Sequence, residues 1–437
     1  MTLKELTLVN MLLLKNVTIV APFSDLNGQL ADIFINKSGL IERLGNNLSP
    51  SKGVTVFEQE GTCVSIGWMD VGVQACDPGY EHREDFASTA RAAMAGGFTA
   101  VAPFPNTNPA IHSKSEVLYI KNKTQSYLVD FHPIGALSED CKGKDIAEML
   151  DMHSAGAIAF GDGKKPAQDG GLILRGLQYS KIFNGLIFNF PFEKSIATHG
   201  QMHEGLTSTS LGLPGIPSMA EELMVQRDLQ LLEYAAGRLH IHNISTARSV
   251  DLIRQAKKQG LNVTASVAAM NLCFNDTVLR GFDSNFKVMP PLRDKSDSEA
   301  LIKGLRDGTI DFISSNHTPV DTEGKDLEFA YAEFGAIGLE TAFSMTNTFL
   351  NKNQGKKLTI HQLIENWAIK PRRVLGLEIP QITEGVMANL TLFNPNEEWT
   401  FTEKNIYSKS KNTPLRGSIL RGRVQGVVNK GQYWIRS

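Results

Sequence analysis

The sequence predicts an α/β protein: a (β/α)8 barrel of the TIM type, carrying a small β-domain assembled from both ends of the chain. Three observations lead there. The middle of the chain alternates short apolar β-type runs with amphipathic helical stretches. The links between these runs are short. Both ends are instead successions of strands separated by Gly- and Asn-rich turns. Repeated strand–helix alternation calls for parallel strands with helical crossovers, and over this length a closed barrel is favoured over an open sheet. A chain of 437 residues suits a large barrel with an added module.

Taken in order, residues 12–19, 28–35 and 54–63 read as strands. Residues 1–10 read as an upstream extension, with Met1 or Met11 as the start. The apolar run from Met11 is too short for a secretory leader, and no small-residue cleavage site follows it. In the middle, residues 97–102 form a strand, and a helix over 146–154 leads into a strand at 157–160. Another strand covers 186–190, and a long helix covers 220–236 before a strand at 238–244. The helix over 247–259 ends at Gly260, a residue suited to the left-handed position after a helix. A strand at 262–267 follows, then a helix over 298–307 closed by Gly308, and a strand at 309–314. Residues 388–393, 417–420 and 422–428 complete the β-rich end. The chain thus divides into a composite, β-sandwich-like domain (1–65 with 385–437) and a barrel (66–384).

Composition narrows the function classes. Hydrophobic residues make up 42% and charged residues 21%, ordinary for a globular protein. The 44 basic and 46 acidic side chains leave a net charge of −2, so neither nucleic acid nor an acidic membrane surface is indicated as a partner. No apolar run is long enough to span a bilayer. Cys63, Cys76, Cys141 and Cys273 are widely spaced without a CxxC pair. That pattern suggests neither a disulfide framework nor a thiolate zinc site, and fits a reduced, cytoplasmic setting.

Several blocks carry a family resemblance. They are the stretch from Ile66 to Asp85, ARAAMAGGFT at 90–99, Pro105-Asn-Thr-Asn-Pro, LGLPGIPSMAEE at 211–222, Met289-Pro-Pro-Leu-Arg, Asp307-Gly-Thr-Ile-Asp, FGAIGLET at 334–341 and Ser408-Lys-Ser-Lys-Asn-Thr-Pro. In this order, across nearly the whole chain, they resemble bacterial dihydroorotases of the barrel-plus-β-module type. The resemblance implies a metal-dependent amidohydrolase barrel and a link to ring closure in pyrimidine synthesis. It also implies zinc that activates water and polarises a carbonyl, with an Asp as proton shuttle and the ligands at the C-terminal ends of barrel strands.

The positions that the resemblance assigns to this chemistry hold other residues. The His-x-His pair at the end of the first strand is Gly72 and Gln74. The arginine that would hold a substrate carboxylate is Cys76. A histidine position after strand 186–190 is Pro191. Aligned on Ser245-Thr246, the next ligand position is Asn243, which places His242 one residue off and facing the other way. The proton-shuttle Asp is Asn316, an amide of similar shape that cannot take a proton. Ala269-Met270-Asn271, Met289 and Val320 replace further polar family residues. Asp162 matches a family position that holds an acidic residue or a bridging lysine, and Asn106 matches a residue that helps hold the substrate carboxylate.

The expectation is therefore a folded barrel with no metal and no catalytic residue, though the family uses zinc. Asp162 is expected to cap a loop, Cys76 to be a small buried residue and Asn106 a turn residue. Asn106, Cys76 and His317 are the substrate-pocket candidates. A relocated metal site from Asp162, His240, His242 and His317 is weighed against buried histidines with ordinary hydrogen bonds, and the latter is favoured. A non-catalytic structural or regulatory role follows. The resemblance suggests aspartate transcarbamoylase as the partner and a homodimer as the assembly. The alternatives are an active dihydroorotase or other cyclic amidase with an unusual site, and a module that senses a pyrimidine intermediate.

Overall fold

The computed structural model describes residues 7–8, 11–22, 24–50, 52–352 and 358–436. Apart from Thr7 and Leu8, the upstream extension lies outside the described residues. Eight strands among the described residues form the barrel. They are β1 (Trp68–Val73), β2 (Phe98–Pro103), β3 (Asp130–Phe131 continuing at Ile134–Gly135), β4 (Ala159–Phe160), β5 (Ile187–Asn189), β6 (Leu239–Ile241), β7 (Val263–Ala268) and β8 (Phe312–Ser314). Each ladder between neighbours is parallel. Strand β3 is interrupted at His132-Pro133, because proline has no N–H to give the ladder. Between β8 and β1 the ring is joined by Ser315 N donating to Asp70 Oδ1 (2.8 Å) and Gln74 N donating to His317 O (3.0 Å).

The helices expected from periodicity appear within a few residues of their expected bounds: Met149–Ser154, Met219–Ala235, Ala247–Lys258 and Lys295–Asp307. Gly308 ends the last of these at φ +80°, a conformation that glycine adopts without steric penalty.

Among the described residues, the two chain ends build one continuous nine-stranded sheet. Its seam pairs Cys63–Ile66 antiparallel with Leu390–Thr400, so the ends of the chain are hydrogen-bonded to each other. Two expected strands differ. The run 54–63 is split into Thr55–Phe57 and Cys63–Ile66, which pair with different parts of Leu12–Ile19 and are separated by a turn at Gly61 (φ +75°). The runs 417–420 and 422–428 are one strand, Ile419–Asn429, in which Gly422 (φ +93°) is skipped in the register as a bulge. Strands Ile41–Gly45 and Gln432–Ile435 were not anticipated. Trp68, fully buried, sits where sheet and barrel meet, with ring centroids of Phe98, Phe343 and Phe393 at 6.2, 4.7 and 5.3 Å. The segment 401–418 leaves the sheet to lie on the barrel, where Asn412 Nδ2 donates to Thr318 O (3.0 Å).

Candidate functional site

The C-terminal ends of β1, β4, β6 and β8 meet at one mouth of the barrel, and the sequence of each end decides what it presents. At β1, Asp70 is fully buried and accepts from Ser315 N and Ser315 Oγ. Burial pushes its carboxyl up to about 6 against the pull of these bonds. Gly72 has φ +88°, and a Cβ there would lie 2.7 Å from His242 Cε1 and Nε2 and 2.8 Å from Phe104 Cε2. The space for a side chain at position 72 is thus filled by His242 itself. Gln74 follows, half-buried.

At β6, the expected orientation of His242 is corrected. His240 and His242 both point into the barrel, with ring centroids 5.9 Å apart, as residues two apart on a strand must. Asn243 then takes a left-handed conformation (φ +54°), which breaks the alternation, so its amide also turns to the mouth. Its Oδ1 accepts from Ser314 Oγ (2.8 Å) and its Nδ2 donates to Asn316 Oδ1 (3.2 Å).

A chain of hydrogen-bonding groups backs both rings. His240 Nδ1 is 2.9 Å from Thr264 Oγ1, which also reaches Leu239 O at 3.5 Å. His240 Nε2 is 3.0 Å from Ser266 Oγ. Ser266 Oγ accepts from Asn243 N (3.0 Å) and lies 3.0 Å from His242 Nδ1 and 3.3 Å from Asn243 Oδ1. The way the two hydroxyls turn sets the tautomer of each ring, so His242 Nε2 donates in one arrangement and accepts in the other. It has no hydrogen-bond partner among the described residues, although the residue is only 1% exposed. Burial holds both imidazoles well below the usual histidine range, hence neutral.

At β4, Asp162 does not face the mouth. Its Oδ1 accepts from Leu137 N (3.0 Å) and Ser138 N (2.9 Å), and its Oδ2 from Ser138 Oγ. It is the loop-capping carboxylate expected. The residue that does reach the mouth was missed: Lys164, two positions on. Its Nζ donates to Asn316 Oδ1 and lies 5.9 Å from the centre of the Phe190 ring. The stem is half-buried while the amine is enclosed, and this burial brings the amine down to about 7, with the nearby Asp70 charge opposing the shift. A lysine just beyond Asp162, on the same strand-end loop, was the available sequence signal.

The pocket candidates are corrected in part. Asn106 spends its amide on the loop that carries Lys164, donating from Nδ2 to Asp162 O (2.9 Å) and accepting at Oδ1 from Lys164 N (2.7 Å). It positions Lys164 rather than presenting a free amide. His317 is fully buried and turned away. Its Nδ1 accepts from Gly338 N (3.2 Å), and its Nε2 is 3.4 Å from Glu84 Oε2. Cys76 is buried with φ +59°, and burial, aided by the Glu84 charge, pushes its thiol up to about 12. Pro191 is buried beyond β5. Asn316 (φ +56°) is the hub of the mouth: Oδ1 accepts from Lys164 and Asn243, and Nδ2 donates to Met289 O (3.1 Å).

These residues do not fit a metal ion. A zinc site needs three or four converging lone pairs. The mouth presents an amine already hydrogen-bonded to Asn316, one open imidazole nitrogen and amide groups bonded to one another, short of the ligand set required. Asp162, His240, His242 and His317 do not converge. Among the described residues, one group of three metal-capable side chains comes together, His203, Asp294 and Asp297, with ligand atoms within 4.8 Å of one another. It surrounds Arg293, whose guanidinium donates to His203 Nδ1 (3.3 Å), and lies apart from this mouth.

The architecture is that of the hydantoinase and dihydropyrimidinase barrels with their β-domain. The solved L-hydantoinase (dihydropyrimidinase) from Arthrobacter aurescens superposes with a TM-score of 0.83 at 23% identity, covering 97% of this chain and 95% of that one. Dihydropyrimidinase from Brevibacillus agri gives 0.81 at 19% identity, covering 98% and 95%. Sequence narrows this class further. Residues 61–249 match the family model described as Dihydro-orotase-like. The dihydroorotase of Acetivibrio thermocellus is 38% identical over 426 residues, 97% of this chain and 99% of that protein. That of Pelotomaculum thermopropionicum is 40% identical over 413 residues, covering 94% and 95%. The chain belongs to the dihydroorotase family.

Proposed function

We propose that this chain is a non-hydrolytic dihydroorotase-family protein that serves pyrimidine biosynthesis as a structural or regulatory partner. The observation that carries this reading is the lack of a converging ligand set at the barrel mouth, where the Lys164 amine is bonded to Asn316, the Asn243 and Asn316 amides are bonded to each other, and His242 Nε2 is a single open nitrogen. Opening or closing a cyclic amide also needs a proton acceptor, and Asn316 is an amide already bonded at both ends. The test is elemental analysis and dihydroorotate hydrolysis on protein produced in zinc-supplemented medium. The expected result is less than about a tenth of an equivalent of zinc, with no turnover above buffer after adding zinc, manganese or cobalt.

Near-stoichiometric zinc with turnover would establish the second reading, an active dihydroorotase or other cyclic amidase with an unusual site. One observation favours that reading: relatives 38–40% identical over nearly the whole chain carry the plain name Dihydroorotase. The partner proposed from the family resemblance is aspartate transcarbamoylase, and the assembly a homodimer. Failure to co-purify with the transcarbamoylase at endogenous levels would remove the first, and a monomeric sedimentation profile the second.

A further inference from the structure

The outer wall of the barrel has one helix whose solvent face differs from its neighbours'. On the helix Ala247–Lys258 the exposed positions include Arg248, Asp251 and Lys258, and on Lys295–Asp307 they include Lys295, Glu299, Lys303 and Arg306. Such charge is what a helix facing water normally carries. The helix Met219–Ala235, the longest among the described residues, carries a different stripe. Met219, Leu223, Gln226, Gln230 and Tyr234 are all exposed, and their spacing of four, three, four and four places them in one line along the helix. None of these five is charged. Met219 is 50% exposed, Leu223 46% and Tyr234 77%. The opposite face is already spent on the core, through Met224, Val225, Leu229 and Leu232.

The charges that flank the stripe leave it uninterrupted. Arg227 turns its guanidinium onto Asp228 Oδ1 (2.7 Å), Ala167 O (2.9 Å) and Gln168 O (2.8 Å), and Glu233 stands beside the C-terminal end next to Tyr234. Lys181 Nζ donates to Ala235 O (3.2 Å), which sets Ile182, 72% exposed, beside that same end. An apolar line along a whole exposed helix marks a contact surface. Its symmetry selects the occupant. The large apolar residues Met219 and Tyr234 stand at the two ends, and the midpoint between them falls at Gln226. Antiparallel pairing with a second copy about a two-fold axis there brings each Met219 against the other copy's tyrosine, a favourable sulfur–aromatic contact. Gln226 then faces its own copy. An amide both donates and accepts, so it bonds its like, whereas a charged side chain on the axis would meet its own sign. The helix's 17 residues span about 25 Å. With a neighbouring helix about 10 Å away, the face is of the order of the roughly 800 Å² per partner that a stable dimer buries.

We propose that the helix Met219–Ala235 is the two-fold interface between two copies of this chain, packed antiparallel on its counterpart about Gln226, with Ile182 extending the contact at each end. The opposed directions of the paired helices set their dipoles favourably against each other, and the spacing of four and three residues along the stripe is that of helix-pair seams. The inference names the surface of the homodimer proposed above and rests on that reading. It is independent of whether the barrel hydrolyses a cyclic amide.

The experiment measures the mass of the full chain by sedimentation velocity over a dilution series, with circular dichroism as the check on folding. The parent is expected to sediment as a dimer. Leu223→Glu places a charge in the middle of the stripe and is expected to weaken the dimer at least about a hundredfold, as an unpaired charge enclosed in an apolar contact does. Lys303→Glu, an exposed change on the charged helix nearby, should dimerise as the parent does. Gln226→Cys gives a readout that needs no disruptive substitution. Mild oxidation is expected to link two copies through that position, because a residue on the axis lies next to its own counterpart, while Arg248→Cys on the adjacent helix yields no linked dimer. A parent that stays monomeric throughout overturns both this inference and the homodimer reading. A dimer that survives Leu223→Glu, or that links through Arg248→Cys and not through Gln226→Cys, overturns this inference alone and sends the two-fold contact to another face.

Discussion

Two buried polar clusters lie near the same end of the barrel, and they differ in one respect. Around Glu221 every group is answered. Its carboxylate accepts from Ser245 N (2.8 Å), Ser245 Oγ and Thr246 N (3.1 Å). Arg293 lies beside it at 3.8 Å and donates to Ser245 Oγ (3.0 Å) and Ile216 O (2.9 Å), and both charged residues are 2% exposed. At the mouth, His242 is equally enclosed and the half-buried Lys164 less so, and both are incompletely paired. The first cluster uses its polarity to lock three loops together. The second leaves the His242 Nε2 atom without a partner and the Lys164 amine with a single side-chain acceptor. Glu221, Ser245-Thr246 and Arg293 all fall in recognisable blocks, while Gly72, Gln74, Asn243 and Asn316 depart from the pattern.

The largest effect that would break this contrast is removal of one member of the satisfied cluster. Glu221→Ala leaves the Arg293 guanidinium buried without its carboxylate and three donors without an acceptor. Such a change is expected to lower the unfolding free energy by about 3–5 kcal/mol, read from urea denaturation. A loss as small as that at an exposed surface site would mean that the cluster is not structural.

Steric exclusion at the mouth comes next. Gly72→Ala places a Cβ 2.7 Å from the His242 ring on a residue with φ +88°. Destabilisation of about 2 kcal/mol is expected from the clash and the left-handed backbone together. In the His242→Ala background the clash with the imidazole is gone, and only the backbone part and the contact with Phe104 Cε2 should remain. A double-mutant cycle measures the difference. Additive effects would show that His242 does not fill the space beside Gly72.

Much of this was legible in the sequence, and the failures have local causes. The barrel order and the union of the chain ends followed from alternation and from the β-rich termini. Asn316 as an amide mimic, Asp162 as a cap and Cys76 as an inert buried thiol follow from residue chemistry alone. His242 was misplaced because strand alternation was carried through Asn243, whose positive φ ends the strand's regular twist and turns two consecutive side chains to the same mouth. Lys164 escapes a reading of the sequence because the family resemblance points to the position of Asp162. The loop after Phe160 turns Asp162 back onto the 137–138 backbone and sends the next long side chain forward. Asn106 was misread for the complementary reason: its partner is that same loop, 56 to 58 residues away in sequence.

The smallest of the effects sharpens the contrast further, through pH. Burial lowers the Lys164 amine from the usual lysine value of 10.5 to about 7, so between these values the unfolded chain binds a proton that the folded chain does not. Stability therefore rises with pH across that window, and the contribution is lost as pH falls through the folded value. Lys164→Met removes the titrating group and keeps the length of the side chain. The variant is expected to be more stable than the parent by about 1 kcal/mol or more near pH 7, with the gap closing towards pH 10. Urea midpoints at the two pH values check the sign, and a gap that widens with pH would show the amine to be stabilised in the fold as a cation.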